Sequence, residues 1–222
     1  MKKLSGMRVA VLAAEGFEQA ELTRPVRKLE HEGATVTLVS LKPGAVQGMA
    51  RHAPGRARHV DATLREAKAA DFDALVLPGG FLSPDLLRQN ALALDFVRDA
   101  DTLDLPMAII CHAPWVLVSA GLVEGRRLTS WPGIRDDVHN AGGLWVDEPV
   151  VRDGNWVTSR DPHDLAALER AMVDLFAEHR ERRPEVADRE PSPPKKRWPK
   201  FFAGVLATAA LGLTARRLAA AR

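Results

Sequence analysis

The sequence predicts an α/β fold in which helices cover both faces of a mostly parallel sheet. Four short apolar runs predict buried strands over residues 7–14, 34–40, 73–80 and 106–111. Helical patterns separate these runs, and such an alternation favours βαβ units and a parallel sheet. A chain of 222 residues can form one large domain, or one domain with an appendage.

The first helices follow from apolar residues at helical spacing between the strands. We expect one helix over residues 18–31 and a second over 90–101. A third should begin after Cys111 and run to about Ala120. Each expected helix connects two expected strands, as a parallel sheet requires.

Two further elements are predicted near the carboxyl end of the domain. Residues 142–159 alternate in the manner of a β-hairpin, with Asp153 and Gly154 supplying the turn. Residues 161–179 form a strong amphipathic pattern, with Asp161 placed to cap the helix. The chain should therefore end its folded part on a helix.

Composition limits the classes of function. A single cysteine excludes an internal disulfide and a multi-cysteine metal site, and it favours a reducing, cytoplasmic setting. The amino-terminal apolar run meets Glu15 and Glu18 at once, so we do not expect a signal peptide. Residues 1–194 carry 24 basic and 29 acidic residues, a balance that argues against a nucleic-acid partner for the body.

The chain divides into three predicted parts. Residues 1–180 should form the catalytic domain, and residues 181–200, rich in charge and proline, a linker without a fold of its own. Residues 201–222 form an apolar and basic tail, whose segment 201–215 has no charge. Three interpretations of the tail stay open: a membrane-surface anchor through 195–222, a helix that docks on another subunit, and an extension with no role.

Three chemically distinctive segments follow predicted strands. They are Glu15 to Glu21 after the first strand, Gly79 with Gly80 after the third, and Cys111 with His112 after the fourth. Ligands of parallel α/β sheets bind beyond the carboxyl ends of the strands. The sequence therefore predicts that these segments converge on one site.

Cys111 stands where a buried strand turns into a helix, the arrangement of a nucleophile elbow. The sharp turn and the following helix N-terminus would both favour the reactive thiolate. The alternative is a small buried cysteine without a chemical role, a common position for a free cysteine.

The neighbouring residues also allow two interpretations. Glu21 is either a solvated helix carboxylate or a carboxyl that points toward Cys111, where its protonated form would donate to the thiolate. Gly80 either serves a strand-to-helix turn or offers its N–H, together with the N–H of His112, as an oxyanion hole.

Five segments together resemble the PfpI family of intracellular peptidase-like and deglycase-like proteins, related to the Parkinsonism-associated deglycase. The resemblance covers roughly residues 7–180 and keeps the order of the motifs. The segments are EGFEQAELTRP (15–25), DALVLPGG (73–80), AIICHAPWVLVSAGLVEGRRLTS (108–130), WPGIRDDVHNAGGLWVD (131–147) and NWVTSRDPHDL (155–165).

The resemblance implies a flavodoxin-like three-layer sandwich with a nucleophile elbow, within the class I glutamine amidotransferase-like superfamily. It implies Cys111 as the nucleophile, Glu21 as its hydrogen-bonded acid and His112 as its basic partner. It also implies dimers or hexamers whose active sites lie between subunits. In the peptidase-like branch an acid from a neighbouring subunit completes the triad, and the matching residue here is Asp85. The sequence departs from the archaeal peptidase type there, with a longer loop after Gly80 and Asp in place of Glu, and Asp85 has helix capping as an alternative role.

The resemblance leaves three activities open. The first, which we favour, is cofactor-independent hydrolysis of methylglyoxal, glyoxal or their early adducts on amines and thiols, as a deglycase or glutathione-independent glyoxalase in stress protection. The second is an intracellular cysteine peptidase, for which the sequence shows no segment that supplies an extended cleft. The third is a redox sensor or chaperone that uses Cys111 without turnover.

Overall fold

The computed structural model describes residues 2–187, and a seven-stranded sheet forms the centre of this part. The strands are β1 (Arg8–Leu12), β2 (Phe17–Glu18), β3 (Thr35–Ser40), β4 (Ala45–Ala50), β5 (Ala53–His59), β6 (Ala62–Thr63), β7 (Ala74–Leu77), β8 (Met107–Ile110), β9 (Arg127–Leu128), β10 (Leu144–Trp145), β11 (Val150–Asp153) and β12 (Trp156–Ser159). The helices are α1 (Gln19–His31), α2 (Leu82–Arg88), α3 (Ala91–Thr102), α4 (Pro114–Ala120), α5 (Arg135–Asn140), α6 (Leu165–Arg182) and α7 (Pro184–Ala187). Short 3-10 helices lie at Ala69–Asp71, Pro132–Ile134 and Pro162–Asp164.

The central sheet is parallel except at one edge. Its order is β11-β12-β8-β7-β1-β3-β6, and β11 with β12 is its antiparallel pair. Every residue of β7 and β8 is buried, because helices cover both faces of these strands. The parallel direction brings the carboxyl ends of β1, β7 and β8 to one edge of the sheet.

The helices form the two outer layers. On one face, Leu22 of α1 and Phe176 of α6 belong to one buried apolar core. On the other, Leu87 of α2, Phe96 of α3 and Leu117 of α4 belong to a second core. The predicted flavodoxin-like three-layer α/β sandwich is therefore confirmed, with the sheet as its middle layer.

One strand prediction is wrong in part. Residues 150–159 form the predicted hairpin, but Leu144–Trp145 pairs in parallel with Arg127–Leu128. The backbone N–H of Leu144 donates to the carbonyl of Arg126 at 2.8 Å. Alternation in sequence identifies a strand but not its partner, and here the partner lies far away along the chain.

Two elements extend the sequence prediction. The pattern at residues 161–179 begins with a 3-10 turn that Asp161 caps by accepting from the N–H of His163 at 2.7 Å, and α6 then continues to Arg182. The hairpin of β4 and β5, which pairs with β2 in a separate small sheet, was not predicted. Its strands alternate only weakly because most of their residues are exposed or half-buried.

The predictions for the end of the chain fall outside the described residues. These are most of the linker at 181–200, the tail at 201–222 and the suggested membrane contact through 195–222. Within residues 2–187, no helix combines the length and the apolar character that crossing a membrane requires.

Candidate active site

The predicted convergence at the edge of the sheet is present. Cys111 and His112 follow β8, Gly79 and Gly80 follow β7, and Glu21 lies in the first turn of α1. Gly79 joins the segments closely, because its backbone N–H donates to Oε2 of Glu21 at 2.9 Å. The structure thus brings together every predicted site residue except Asp85.

Cys111 occupies a strained turn directly after β8. Its φ of 59° lies in the left-handed region, which residues other than glycine adopt rarely and at a cost. Two backbone hydrogen bonds hold this conformation: its N–H donates to the carbonyl of Ser159 at 2.9 Å, and its carbonyl accepts from Trp131 at 2.8 Å. The predicted elbow geometry is therefore present, and the sulfur-bearing residue is only 6% exposed.

Glu21 is fully buried beside this turn, at 0% exposure, and so is not a solvated helix carboxylate. Burial raises the pKa of Glu21 to about 8, and the charge of Glu18 adds to the rise. The N–H of Gly79 and the thiol of Cys111 oppose it as hydrogen-bond partners. Oε1 of Glu21 is buried and has no hydrogen-bond partner among the described residues, so this oxygen is available to carry a proton.

The same surroundings also shift the pKa of the Cys111 thiol, and the direction of this shift was not predicted from the sequence. Burial raises the pKa of Cys111, and the charge of Glu21 raises it further. Hydrogen bonds from the backbone N–H groups of Gly80 and His112 lower it, as expected at an elbow. Burial outweighs these two donors, so the thiolate must form together with proton transfer to a nearby base.

His112 is placed to be that base. Its Nδ1 lies 3.2 Å from Sγ of Cys111, and burial lowers the pKa of His112, which keeps the imidazole neutral and able to accept a proton. Sequence analysis missed the aromatic rings around it. Trp131 stacks on the imidazole with ring centroids 5.8 Å apart, and Trp115 and Phe81 approach at 5.4 and 6.3 Å.

Two of these rings had a signal in the sequence: Phe81 directly follows the glycine pair, and Trp115 stands three residues after His112. The rings of Phe81 and Trp131 remain 71% and 41% exposed, although they lie next to the buried site. They therefore form an apolar rim beside His112, available to a substrate or to a second subunit.

Asp85 lies apart from this group within the described chain. It is half-buried in the first turn of α2, and its Oδ2 accepts from Nε2 of Gln89 at 2.9 Å. It makes no capping hydrogen bond at the start of α2. No described contact joins Asp85 to Cys111 or His112, so its suggested role across a subunit interface stays a prediction.

The described residues do not supply a metal centre. No group of three or more His, Cys, Asp or Glu side chains within residues 2–187 is arranged to hold a metal ion.

Fold and site together define a three-layer α/β protein with a buried cysteine at a strand-to-helix elbow. Residues 7–175 match the DJ-1/PfpI family, and the chain belongs to that family. The match spans the whole central sheet and all the converging site residues, so the resemblance predicted from the motifs is confirmed.

Relatives of this chain include named enzymes. A deglycase of Pyrococcus abyssi is 46% identical over 170 residues, which cover 77% of this chain and 99% of the relative. YraA of Bacillus subtilis, named as a candidate cysteine protease, is 38% identical over 169 residues, covering 76% and 98%. The crystal structure of Drosophila melanogaster DJ-1beta aligns with a TM-score of 0.70 at 31% identity, covering 82% of this chain and 96% of that one.

Proposed function

We propose that this chain is a cysteine-dependent hydrolase of methylglyoxal and glyoxal, or of their early adducts with amines and thiols. The environment of the Cys111 sulfur carries the proposal. The N–H groups of Gly80 and His112 hydrogen-bond to it, and the carboxyl of Glu21 lies beside it. This arrangement supplies a nucleophile, two donors for an oxyanion and an acid that is still protonated near pH 7.

The first step joins the sulfur to the aldehyde carbon. His112 takes the thiol proton through Nδ1, and the sulfur electron pair forms the C–S bond. The carbonyl electron pair moves to oxygen, which the N–H groups of Gly80 and His112 stabilise and which takes its proton from Glu21. The product is a hemithioacetal on Cys111.

The later steps require no external oxidant. A proton moves from the former aldehyde carbon to the neighbouring carbonyl carbon, and the hydroxyl proton moves to the oxygen of that neighbouring carbonyl, so one carbon is oxidised while the other is reduced. The hemithioacetal becomes a thioester, with Glu21 as the proton carrier. Water then cleaves the thioester and releases lactate from methylglyoxal, or glycolate from glyoxal, with the thiol restored.

Small carbonyl substrates suit a buried thiol. Cys111 is only 6% exposed, and the exposed rings of Phe81 and Trp131 lie beside its neighbour His112; an aldehyde carbon needs much less space there than an extended peptide backbone. The name of the Pyrococcus abyssi relative supports adducts of such carbonyls as further substrates. Adducts would bring their amine or thiol into contact with the aromatic rim.

A cysteine peptidase is the second candidate, and the name of the YraA relative favours it. The same donors at Gly80 and His112 would hold the oxyanion of an acyl-enzyme. A redox sensor is less well supported, because burial raises the pKa of Cys111 and oxidation follows thiolate character and exposure.

We also propose that the enzyme is a cytoplasmic homo-oligomer with sites completed between subunits. The exposed rings of Phe81 and Trp131 beside His112 support a partner surface there. Asp85 is the acid that we assign to the neighbouring subunit's site, where it would orient the imidazole.

The test is lactate formation from methylglyoxal by the full chain, without added metal or glutathione. We expect turnover, together with release of early methylglyoxal adducts from N-acetyl-cysteine and N-acetyl-arginine. Peptide substrates are measured in parallel. Cleavage of peptides without any lactate or adduct release would replace this proposal with the peptidase.

Gly79→Ala is expected to lower turnover at least 10-fold, because a Cβ at this position would lie 2.6 Å from Oε2 of Glu21 and 2.7 Å from Cβ of Cys111. The matched control is Gly121→Ala, whose Cβ meets nothing within 4 Å and which costs only backbone strain at a φ of +74°. Steady-state kinetics and thermal unfolding of both variants check this. Normal turnover in Gly79→Ala would show that the contact does not position the acid.

A further inference from the structure

A series of hydrogen bonds connects the small sheet of β9 and β10 to the candidate active site. The indole Nε1–H of Trp145 donates to Oγ of Ser130 at 2.9 Å, and this hydroxyl donates to the carbonyl of Trp131 at 3.0 Å. The N–H of Trp131 in turn donates to the carbonyl of Cys111 at 2.8 Å. We call these three bonds the Trp145 relay. Ser130 therefore links a strand pair outside the site to the residue whose ring stacks on His112.

The direction of each bond at Ser130 follows from the chemistry of the groups. An indole N–H only donates and a backbone carbonyl only accepts, so the hydroxyl of Ser130 has to accept from one and donate to the other. Ser130 is fully buried, at 0% exposure, and its one hydroxyl proton is used in the bond to Trp131. A side chain without a hydroxyl would leave the N–H of Trp145 without this acceptor.

The pairing of β9 with β10 brings Trp145 within reach of Ser130. Trp145 pairs with Leu128, and Ser130 follows Leu128 by two residues. The N–H of Val146 donates to the carbonyl of Leu128 at 3.0 Å and continues this pairing. The ring of Trp145 packs against the second core, the one that contacts α2, α3 and α4. The donor of the Trp145 relay is therefore held by packing outside the active site.

Trp131 is held at both its backbone and its ring. Its carbonyl accepts from the hydroxyl of Ser130 and also from the N–H of Ile134, at 3.1 Å. A Cβ on Gly133 would lie 2.7 Å from Nε1 of Trp131, so the ring lies directly against the backbone of Gly133. The same ring stacks on the imidazole of His112 with an angle of 21° between the planes. A shift of the Trp131 backbone would therefore move the ring that covers His112.

We propose that Ser130 is a positioning residue for His112 and acts through Trp131. The proposal rests on the proposed function, in which Cys111 is the nucleophile and His112 takes its proton. The hydroxyl of Ser130 keeps the Trp131 ring in place, and the ring keeps water from the imidazole while Nδ1 lies 3.2 Å from Sγ of Cys111. A dry and neutral imidazole in this position is ready to accept the thiol proton.

The surroundings of the His112 imidazole make its protonation sensitive to water. The imidazole contacts the thiol of Cys111 and three uncharged rings, and burial lowers the pKa of His112 from its ordinary value of 6.5. The rings are those of Phe81, Trp115 and Trp131. Loss of the Ser130 hydroxyl would loosen the stack and admit water, so the pKa of His112 would rise toward 6.5.

Alkylation of the full chain by iodoacetamide tests the proposal. This reaction needs the thiolate but no hydrolase substrate, and Cys111 is the only cysteine in the sequence. In Ser130→Ala, we expect the alkylation rate at pH 7 to fall about 10-fold. The pH at which the rate falls to half on the acidic side should also rise, because His112 would protonate earlier. Ser130→Thr keeps the hydroxyl and should recover most of the native rate.

Thr129→Val is the matched control. Thr129 is also fully buried and directly precedes Ser130, but its Oγ1 has no hydrogen-bond partner among the described residues. Its alkylation rate and pH profile should stay native. Trp145→Phe removes the donor of the relay without changing Ser130 and should slow alkylation about 3-fold. The double variant Ser130→Ala/Trp145→Phe should react no more slowly than Ser130→Ala, because both changes act through the same hydroxyl.

Two results would overturn the proposal. One is a native alkylation rate in Ser130→Ala. The other is a slower reaction with an unchanged pH profile, because a serine that only stabilises β9 and β10 would alter the unfolding temperature and not the protonation of His112. If Ser130→Ala does not fold, the pH profile of Trp145→Phe decides in the same way.

Lactate formation from methylglyoxal, measured on the same proteins, separates this proposal from the proposed function. A native chain that forms no lactate, but whose alkylation responds to Ser130→Ala as expected, would refute the hydrolase and support the positioning role. A native chain that forms lactate, with a Ser130→Ala variant that alkylates like the native chain, would support the hydrolase and refute the positioning role.

Discussion

Cys111→Ser is expected to reduce lactate formation from methylglyoxal at least 1000-fold. A serine hydroxyl at this buried elbow lacks the acidity and the nucleophilicity of the thiol, and His112 alone cannot make it an alkoxide. Removal of a nucleophile commonly leaves only the residual rate that comes from binding and oxyanion donors. The initial rate of lactate release, measured at several enzyme concentrations to detect traces of turnover, checks the prediction.

Two controls make a loss in Cys111→Ser informative. The variant should retain its thermal unfolding temperature within a few degrees, because Ser is similar in volume to Cys and the backbone bonds of Cys111 to Ser159 and Trp131 do not involve the side chain. His31→Ala changes an exposed imidazole that contacts Glu32 at the end of α1 opposite Glu21, and it should retain full turnover. A rate within 10-fold of native in Cys111→Ser would remove the thiol from the mechanism.

The parts of the site that could be predicted are those whose residues stand next to one another in the sequence. A strand, a cysteine and a helix in succession predict the elbow, and the glycine pair after β7 predicts the adjoining turn. Parallel strands then place Cys111, Gly80 and Glu21 at one edge with no knowledge of side-chain contacts. The three layers follow from the same alternation.

What could not be predicted depends on contacts between distant segments. The pairing of Leu144 with β9, and the stack of Trp131 on His112, join residues whose sequence gives no partner. The raised pKa of Cys111 has the same origin, because burial depends on the packing of the finished fold rather than on the elbow. The role of Glu21 likewise depends on a contact between distant segments, because the backbone N–H of Gly79 holds the Glu21 carboxyl beside the turn.

Glu21→Gln is expected to stabilise the fold at neutral and higher pH. The ordinary carboxyl value of 4.5 rises in the folded state to a pKa of about 8, so between these values the folded chain holds a proton that the unfolded chain has lost. The favourable contribution of this proton is complete below pH 4.5 and is lost as the pH rises toward 8. Between pH 5 and 8 the native chain should lose about 4 kcal/mol more unfolding free energy than the variant.

Denaturant unfolding at pH 5 and pH 8 measures this difference directly. Near pH 5 the ionisation of Glu21 should contribute little to the difference between the two chains, and by pH 8 the variant should unfold about 10 °C higher. Glu30→Gln is the control, because it removes an exposed carboxyl from the same helix and should leave the pH dependence close to native. Parallel pH curves for native and Glu21→Gln would contradict the raised pKa.

The same substitution should lower turnover about 100-fold, because Gln cannot transfer the proton that the oxyanion requires. In the native chain, turnover should also decline above pH 8 as Glu21 ionises and its charge opposes the thiolate. A gain in stability together with a loss of turnover is what a functional, energetically costly group produces, whereas a purely structural carboxyl would lose both. A variant that kept native turnover would show instead that His112 alone handles the protons.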